Sequence, residues 1–139
     1  MEQEGRRRLN GRLYFTGHIA DRPALADLLA NVDLFIHPNP REPFGIAPLE
    51  AMASGLPLVA PSSGGLLSYA NAGNAWLGPA DAETFAAAVR TIFSNPQERD
   101  RKVAEARRTA GEHSWQCATA RMFLTYDELH REVTTGSAG

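Results

Sequence analysis

The chain has 139 residues, 43% of them hydrophobic and 22% charged, with a formal net charge of −2. That is an ordinary globular composition sufficient for one domain at most, and the charge gives no support to nucleic-acid binding. No run approaches 18 consecutive apolar residues, so no membrane span is predicted, and the one cysteine, Cys117, has neither a disulfide nor a metal partner, which suits a reducing compartment.

The start, Met1-Glu2-Gln3-Glu4, is acidic, and Arg6-Arg7-Arg8 leads into polar residues, so no secretory leader is expected and the protein is placed in the cytoplasm. The arginine cluster reads as a solvated face, with peripheral contact to anionic lipid at the inner membrane face as the alternative. Leu13-Tyr14-Phe15-Thr16 is predicted as a short strand closed by Gly17. Asp21 should cap a helix over residues 23–30, with Pro23 at its start and Leu25, Leu28 and Leu29 on one face. Leu34-Phe35-Ile36-His37, stopped by Pro38, has the continuous apolar character of a buried parallel strand.

Next comes the most informative segment, residues 42–57. Gly45 frees a backbone turn, Pro48 is tolerable only near a helix start, and Gly55 followed by Pro57 ends the run. A helix from Gly45 to Ser54 follows from these rules. Glu42 then stands in the loop ahead of the helix and Glu50 one to two turns inside it, their backbones roughly 10 Å apart along the axis. Unpaired N–H groups at a helix start favour phosphate, whereas a carboxylate nearby would repel it and instead accept hydrogen bonds from sugar hydroxyls. A diphosphate between two polyols, that is, a nucleotide-sugar, would use all of these features. Glu50 lies among Ile46, Leu49, Ala51 and Met52, where an unpaired carboxylate would be costly, so it is read as a binding residue and not as decoration.

Leu58-Val59-Ala60 is the next predicted strand, Pro61 to Gly65 a loop, residues 66–71 a short helix, and Asn74 to Leu77 a last strand before Gly78-Pro79. Strands alternating with helices imply a parallel sheet covered by helices. From Asp81, a predicted N-cap, the chain is helical, with Phe85, Ala88, Val89, Ile92 and Phe93 as a core stripe. Asn95-Pro96 opens a charged helix over residues 97–110. After His113-Ser114-Trp115, a last helix to about Glu132 places Met122, Phe123, Tyr126, Leu129 and Val133 at helical spacing, as core or as a contact between domains. Residues 1–133 are thus read as one partial domain and 134–139 as a disordered tail. Trp76 and Trp115 are read as core, and His18 and His37 as residues at the carboxyl ends of strands, where His18 is a candidate for lining a ligand cleft.

Glu42-x-Phe44-Gly45-Ile46-x-x-Leu49-Glu50-Ala51-Met52-Ala53-Ser54-Gly55-x-Pro57, with Val59-Ala60 and Gly64-Gly65 behind it, resembles the signature of the retaining, group 1 glycosyltransferases of GT-B fold. The likeness extends along most of the chain, through Phe15-Thr16-Gly17-His18, Ala30 to Pro38 and Gly78-Pro79-Ala80-Asp81. It implies an α/β, Rossmann-like parallel sheet, a partial GT-B C-terminal domain, followed by C-terminal helices. It further implies a retaining hexosyltransferase whose substrate is a nucleotide-diphosphate sugar, with no cofactor and no metal. By the resemblance, Glu50 holds ribose hydroxyls, and Glu42 contacts the donor sugar and stabilises charge at its anomeric carbon. Backbone N–H groups of Phe44, Gly45 and Ile46 then face sugar or phosphate, Arg41 adjoins the phosphate or is a surface residue, and Gly64-Gly65 lets backbone approach the donor or makes a plain turn.

The family's N-terminal acceptor domain, its first two donor-domain strands and its phosphate-neutralising Arg and Lys have no counterpart here. Met1 is therefore expected to be internal to a longer protein, and the chain alone to be inactive. Without those strands the Leu34 strand should expose an apolar edge that invites pairing with a second copy. A noncatalytic nucleotide-sugar-binding module, or a subunit lending half a site, is the alternative function. Donor base, donor sugar and acceptor are not read from the sequence.

Overall fold

The computed structural model describes residue 4, residues 7–9 and residues 11–136, so Met1 to Gln3, Gly5, Arg6, Asn10 and, of the expected tail over 134–139, residues 137–139 lie outside the described residues. Of the arginine cluster, Arg8 pairs with Glu4 at 2.7 Å on the surface. The chain divides into two compact units, Met1–Asn31 and Val32–Gly139.

In the first unit, residues 13–16 form no strand, in contrast to their apolar pattern. A strand persists only where a neighbouring strand takes up its N–H and C=O groups, and the sheet of the described residues contains β1, β2 and β3 and not this segment. Gly17 does turn the chain, at φ 65°. Helix α1, Arg22–Ala30, begins as expected: Asp21 is extended and its carboxylate accepts from the Ala24 N–H at 3.1 Å. Leu29 is buried and Leu25 partly so, but Leu28 remains exposed.

The second unit is built on a parallel three-stranded sheet in the order β1 (Phe35–Ile36), β2 (Leu58–Pro61), β3 (Trp76–Gly78). Phe35 is in register with Leu58, and Val59 with Trp76. β2 is central and buried at all four positions. Its Pro61 is the final residue, where the missing donor does least harm. β1 is shorter than the expected residues 34–37, although the Phe35 and His37 N–H groups reach Pro57 O and Val59 O, both at 2.9 Å. It is an edge strand, and Ile36 is 44% exposed, the uncovered apolar edge that the sequence foreshadows.

Helix α2, Ile46–Ala53, covers one face of the sheet with helix α4, Pro96–Glu112. Met52, Leu58, Ala60, Leu66, Tyr69 and Ala106 form the core there. Helix α3, Ala82–Ser94, covers the other face, where Ile92 packs on Val59 and Trp76 with Phe85, Ala88 and Val89 beside it. Alternation along β2 produces this division, since Leu58 and Ala60 point one way and Val59 the other. Phe93, expected in the α3 stripe, is exposed. Eight residues from Phe85, it lies about 80° around the helix from that residue, on the flank of the buried face.

Caps follow the sequence closely. Asp81 accepts from the Thr84 N–H at 2.7 Å and the Thr84 hydroxyl at 2.9 Å. Asn95 closes α3 and opens α4 by accepting from the Glu98 N–H at 3.2 Å, with Pro96 in the first turn. Between Gly64 and β3, a single 3₁₀ turn, Gly65–Ser68, takes the place of the expected helix. Buried Lys102 was not singled out by the sequence: its ammonium donates to Ala75 O at 3.1 Å, pairs with Glu98 at 3.2 Å and lies 4.4 Å from the centre of the Trp76 ring.

Helix α5, Trp115–Gly136, runs past Thr134, where loss of structure was expected. Its stripe of Met122, Phe123, Tyr126, Leu129 and Val133 is 47% to 71% exposed, so it is not core of this chain. Trp115, also expected inside, is 84% exposed at the first position of the helix. Among the described residues no helix is long and apolar enough to cross a membrane.

Candidate functional site

The start of α2 is set by Gly45, which sits in the left-handed region at φ 89° and ψ 75° and has no side chain to cap the helix. Only glycine adopts that geometry without strain. Pro48, in the first turn, brings no N–H of its own, so Ile46 and Ala47 supply the donors of this helix end. At the far end Ser54 caps through Glu50 O, and Gly55, at φ 81°, turns the chain toward β2.

Ahead of Gly45, the Asn39–Phe44 loop presents Glu42. One carboxylate oxygen, Oε2, accepts from Asn39 Nδ2 at 3.2 Å. The same oxygen lies 3.4 Å from His37 Nε2. That nitrogen is buried without an aligned hydrogen-bond partner, so the contact is electrostatic proximity and not a formed hydrogen bond. Asn39 in turn accepts from the Arg41 N–H at 3.1 Å, which rigidifies the loop locally, while the Arg41 side chain is exposed.

Gly64 and Gly65 lie against this loop. The Gly65 N–H donates to Glu42 O at 2.7 Å, and the Ser63 hydroxyl to Pro40 O at 3.2 Å. A Cβ on Gly65 would overlap the Pro43 carbonyl, and one on Gly64 would come 3.1 Å from Glu42 O. The close backbone approach that this glycine pair permits is therefore to residues 40–44 of the same chain.

Behind the loop stands a buried aromatic, Tyr69. Its hydroxyl donates to Gly45 O at 2.6 Å. Its ring meets Phe44 edge-on, with centroids 5.3 Å apart, and His113 at 5.7 Å. Burial, and secondarily the Glu42 charge, push its phenol pKa up to about 12. Buried Asn74 fixes this stretch by donating to Tyr69 O at 2.9 Å and to the Thr109 hydroxyl of α4 at 3.1 Å.

The sequence candidates Glu42, Phe44, Gly45, Ile46, Gly64 and Gly65 thus converge, with Arg41 at the rim and Ile46 largely exposed. Glu50 is half-buried on the second turn of α2. His18 belongs to the first unit, where it is exposed in a segment of no regular structure. His37 was expected at the carboxyl end of a strand, with a weaker claim on the cleft than His18, and Asn39, Tyr69 and His113 were given no site role by the sequence. For His37 and Asn39 the signal was available, since both immediately precede Glu42 in a short loop. Tyr69 and His113 meet it only through the fold.

The site is an open surface. Two cavities, ≈ 180 Å³ beside Val59, Trp76 and Phe85 and ≈ 290 Å³ beside Val32, Leu56 and Phe93, are lined by other residues. The second also carries Asp33, Arg99 and Asp100, but neither cavity includes a residue of the Glu42 loop, to which the chemistry is assigned. Among the described residues no three His, Cys, Asp or Glu side chains gather as a metal site would require.

Comparison with known proteins gives a consistent result. The family model described as "Glycosyl transferases group 1" matches residues 3–109. A GDP-mannose-dependent alpha-(1-6)-phosphatidylinositol dimannoside mannosyltransferase of Mycobacterium tuberculosis (strain ATCC 25177 / H37Ra) is 41% identical over 111 residues, covering 80% of this chain and 29% of the relative. A glycogen synthase of M. tuberculosis (strain CDC 1551 / Oshkosh) is 35% identical over 138 residues, covering 95% of this chain and 33% of the relative. The chain thus spans about a third of the length of these curated relatives. Among solved structures, Anabaena Alr3699/HepE in complex with UDP-glucose superposes with a TM-score of 0.74 at 28% identity, covering 93% of this chain and 35% of that one.

Proposed function

Because the chain belongs to the group 1 glycosyl transferases, we propose that it is the donor-binding half of a retaining hexosyltransferase that uses a nucleotide-diphosphate sugar. The observation that carries this reading is the Glu42 carboxylate, held by Asn39 beside His37 at the glycine-capped start of α2. In this reading the Ile46 and Ala47 N–H groups face the donor diphosphate, where the helix dipole favours negative charge. Glu42, kept off the phosphate, accepts hydroxyls of the donor sugar and stabilises positive charge as the glycosidic bond to the diphosphate breaks. Glu50, one to two turns along, accepts the ribose hydroxyls at the nucleotide end.

The reading needs no metal and no cofactor, since helix N–H groups and cationic residues contributed by the rest of a longer protein would balance the diphosphate charge. The acceptor would come from a second domain across a cleft. Support for the donor class comes from the GDP-mannose and UDP-glucose named for two of the similar proteins. The nucleotide base and the sugar are left to experiment.

Titration calorimetry of the parent enzyme with GDP-mannose and UDP-glucose tests the assignment. Glu50→Gln converts a charged acceptor to a neutral amide and should weaken donor binding by about 1.5–3 kcal/mol. Glu42→Gln should lower kcat more than donor affinity, because its charge matters most in the transition state. A donor Kd unchanged by Glu50→Gln would remove Glu50 from the site, and equal loss of both parameters on Glu42→Gln would remove its catalytic role.

A further inference from the structure

We infer that Tyr69 is a positioning residue: its hydroxyl, hydrogen-bonded to the Gly45 carbonyl, fixes the turn that aims both Glu42 and the first N–H groups of α2 at the donor. The inference rests on the donor-site reading above and extends it to a buried residue behind the Glu42 loop.

Gly45 is the one joint between the Glu42 loop and α2. Its left-handed conformation comes without any side-chain cap at the helix start. The 2.6 Å bond from Tyr69 holds it from 24 residues away. The geometry leaves little slack, since even a Cβ on Gly45 would stand 2.8 Å from the Tyr69 oxygen. Tyr69 cannot drift, because Leu66, Ala70 and Met52 enclose it in the core and Asn74 holds its backbone carbonyl. Its ring also braces Phe44 edge-on, and His113 at the α4 end completes the cluster, 5.7 Å from Tyr69 and 6.3 Å from Phe44. Gly45 O and the Phe44 ring are therefore both referenced to the core through Tyr69. The raised pKa keeps the phenol protonated, and hence donating, at any physiological pH.

Tyr69→Phe isolates the hydroxyl, because the ring and its aromatic contacts remain. Two readouts decide the matter. Hydrogen exchange followed by mass spectrometry on the protein should show the Gly65 amide, which donates to Glu42 O in the loop that Gly45 joins to α2, exchanging about fivefold faster, with β2 unchanged, as expected for loss of one buried hydrogen bond. In the transferase reaction kcat should fall about 3- to 10-fold and the donor KM should rise by at least about twofold, because the phosphate-facing N–H groups lose their aim along with Glu42; a smaller folded fraction would lower apparent kcat and leave KM unchanged. Unchanged exchange at Gly65 overturns the inference whatever the activity, and faster exchange with an unaltered kcat does so too. If the unsubstituted enzyme transfers sugar from no nucleotide-sugar, the donor-site reading fails, while the exchange result still decides whether Tyr69 fixes the turn.

Discussion

In helix α2 the side chains of Ala51 and Met52 are wholly buried, whereas in helix α5 Met122, Phe123, Tyr126, Leu129 and Val133 stand in solvent. Both helices show their apolar residues at helical spacing in the sequence. The difference lies in their surroundings. α2 is pressed between β2 and α4, and its ends are pinned by Gly45 and Gly55. α5 begins after the His113-Ser114 break and runs on for 22 residues, with α4 as the element it packs against. Periodicity identifies a face that can be buried; only the rest of the fold decides whether it is.

The largest effect should come from Met52→Ala, which opens a cavity in the core under α2 and should cost about 2–5 kcal/mol in denaturant unfolding. A cost under about 1 kcal/mol would mean that α2 is no better packed than α5. Gly65→Ala should follow at about 1–3 kcal/mol, because its methyl meets the Pro43 carbonyl and the Glu42 loop must yield. The measurement of interest there is whether donor binding falls with stability.

Tyr69 sharpens the comparison through pH. Its folded pKa lies above the unfolded value of 10.0, so between pH 10 and about 12 the folded state holds a proton that the unfolded state has lost. Its contribution is fully present below pH 10 and declines as pH rises toward 12. Tyr69→Phe should flatten that alkaline decline in unfolding midpoint, and Tyr126→Phe on the exposed stripe is the matched control for loss of one phenol. Equal flattening by both variants would erase the distinction. Smallest of all, Phe123→Ser should change stability by no more than about 0.5 kcal/mol. A larger loss would show that the α5 stripe is covered in solution.

Local chemistry was legible in the sequence. Asp21, Asp81, Asn95 and Ser114 cap where their side chains allow, Gly45 and Gly55 bound the signature helix, and the parallel strands lie close to where they were expected. The misses share a physical cause, dependence on distant partners. Residues 13–16 carry a strand's pattern without a strand beside them. Phe93 and Trp115 are apolar but lie off the covered faces. Within the site, Glu42 and its neighbours in sequence were found together with the glycine pair. Tyr69, 24 residues from Gly45, had no local mark to set it apart from any core aromatic.

The bonds from Ser63 to Pro40 and from Gly65 to Glu42 also impose an order of events. A chain synthesised from its N-terminus exposes Glu42 well before the residues that hold its loop have emerged. Until β2 has paired with β1 and the following turn has come back across it, the loop is a free linker, and its closure is a non-local step that comes late in folding. Arg41, exposed at its centre, makes tryptic cleavage at that bond a clock for the step: nicking should be fast in nascent or partly folded chains and should slow once Gly65 reaches Glu42.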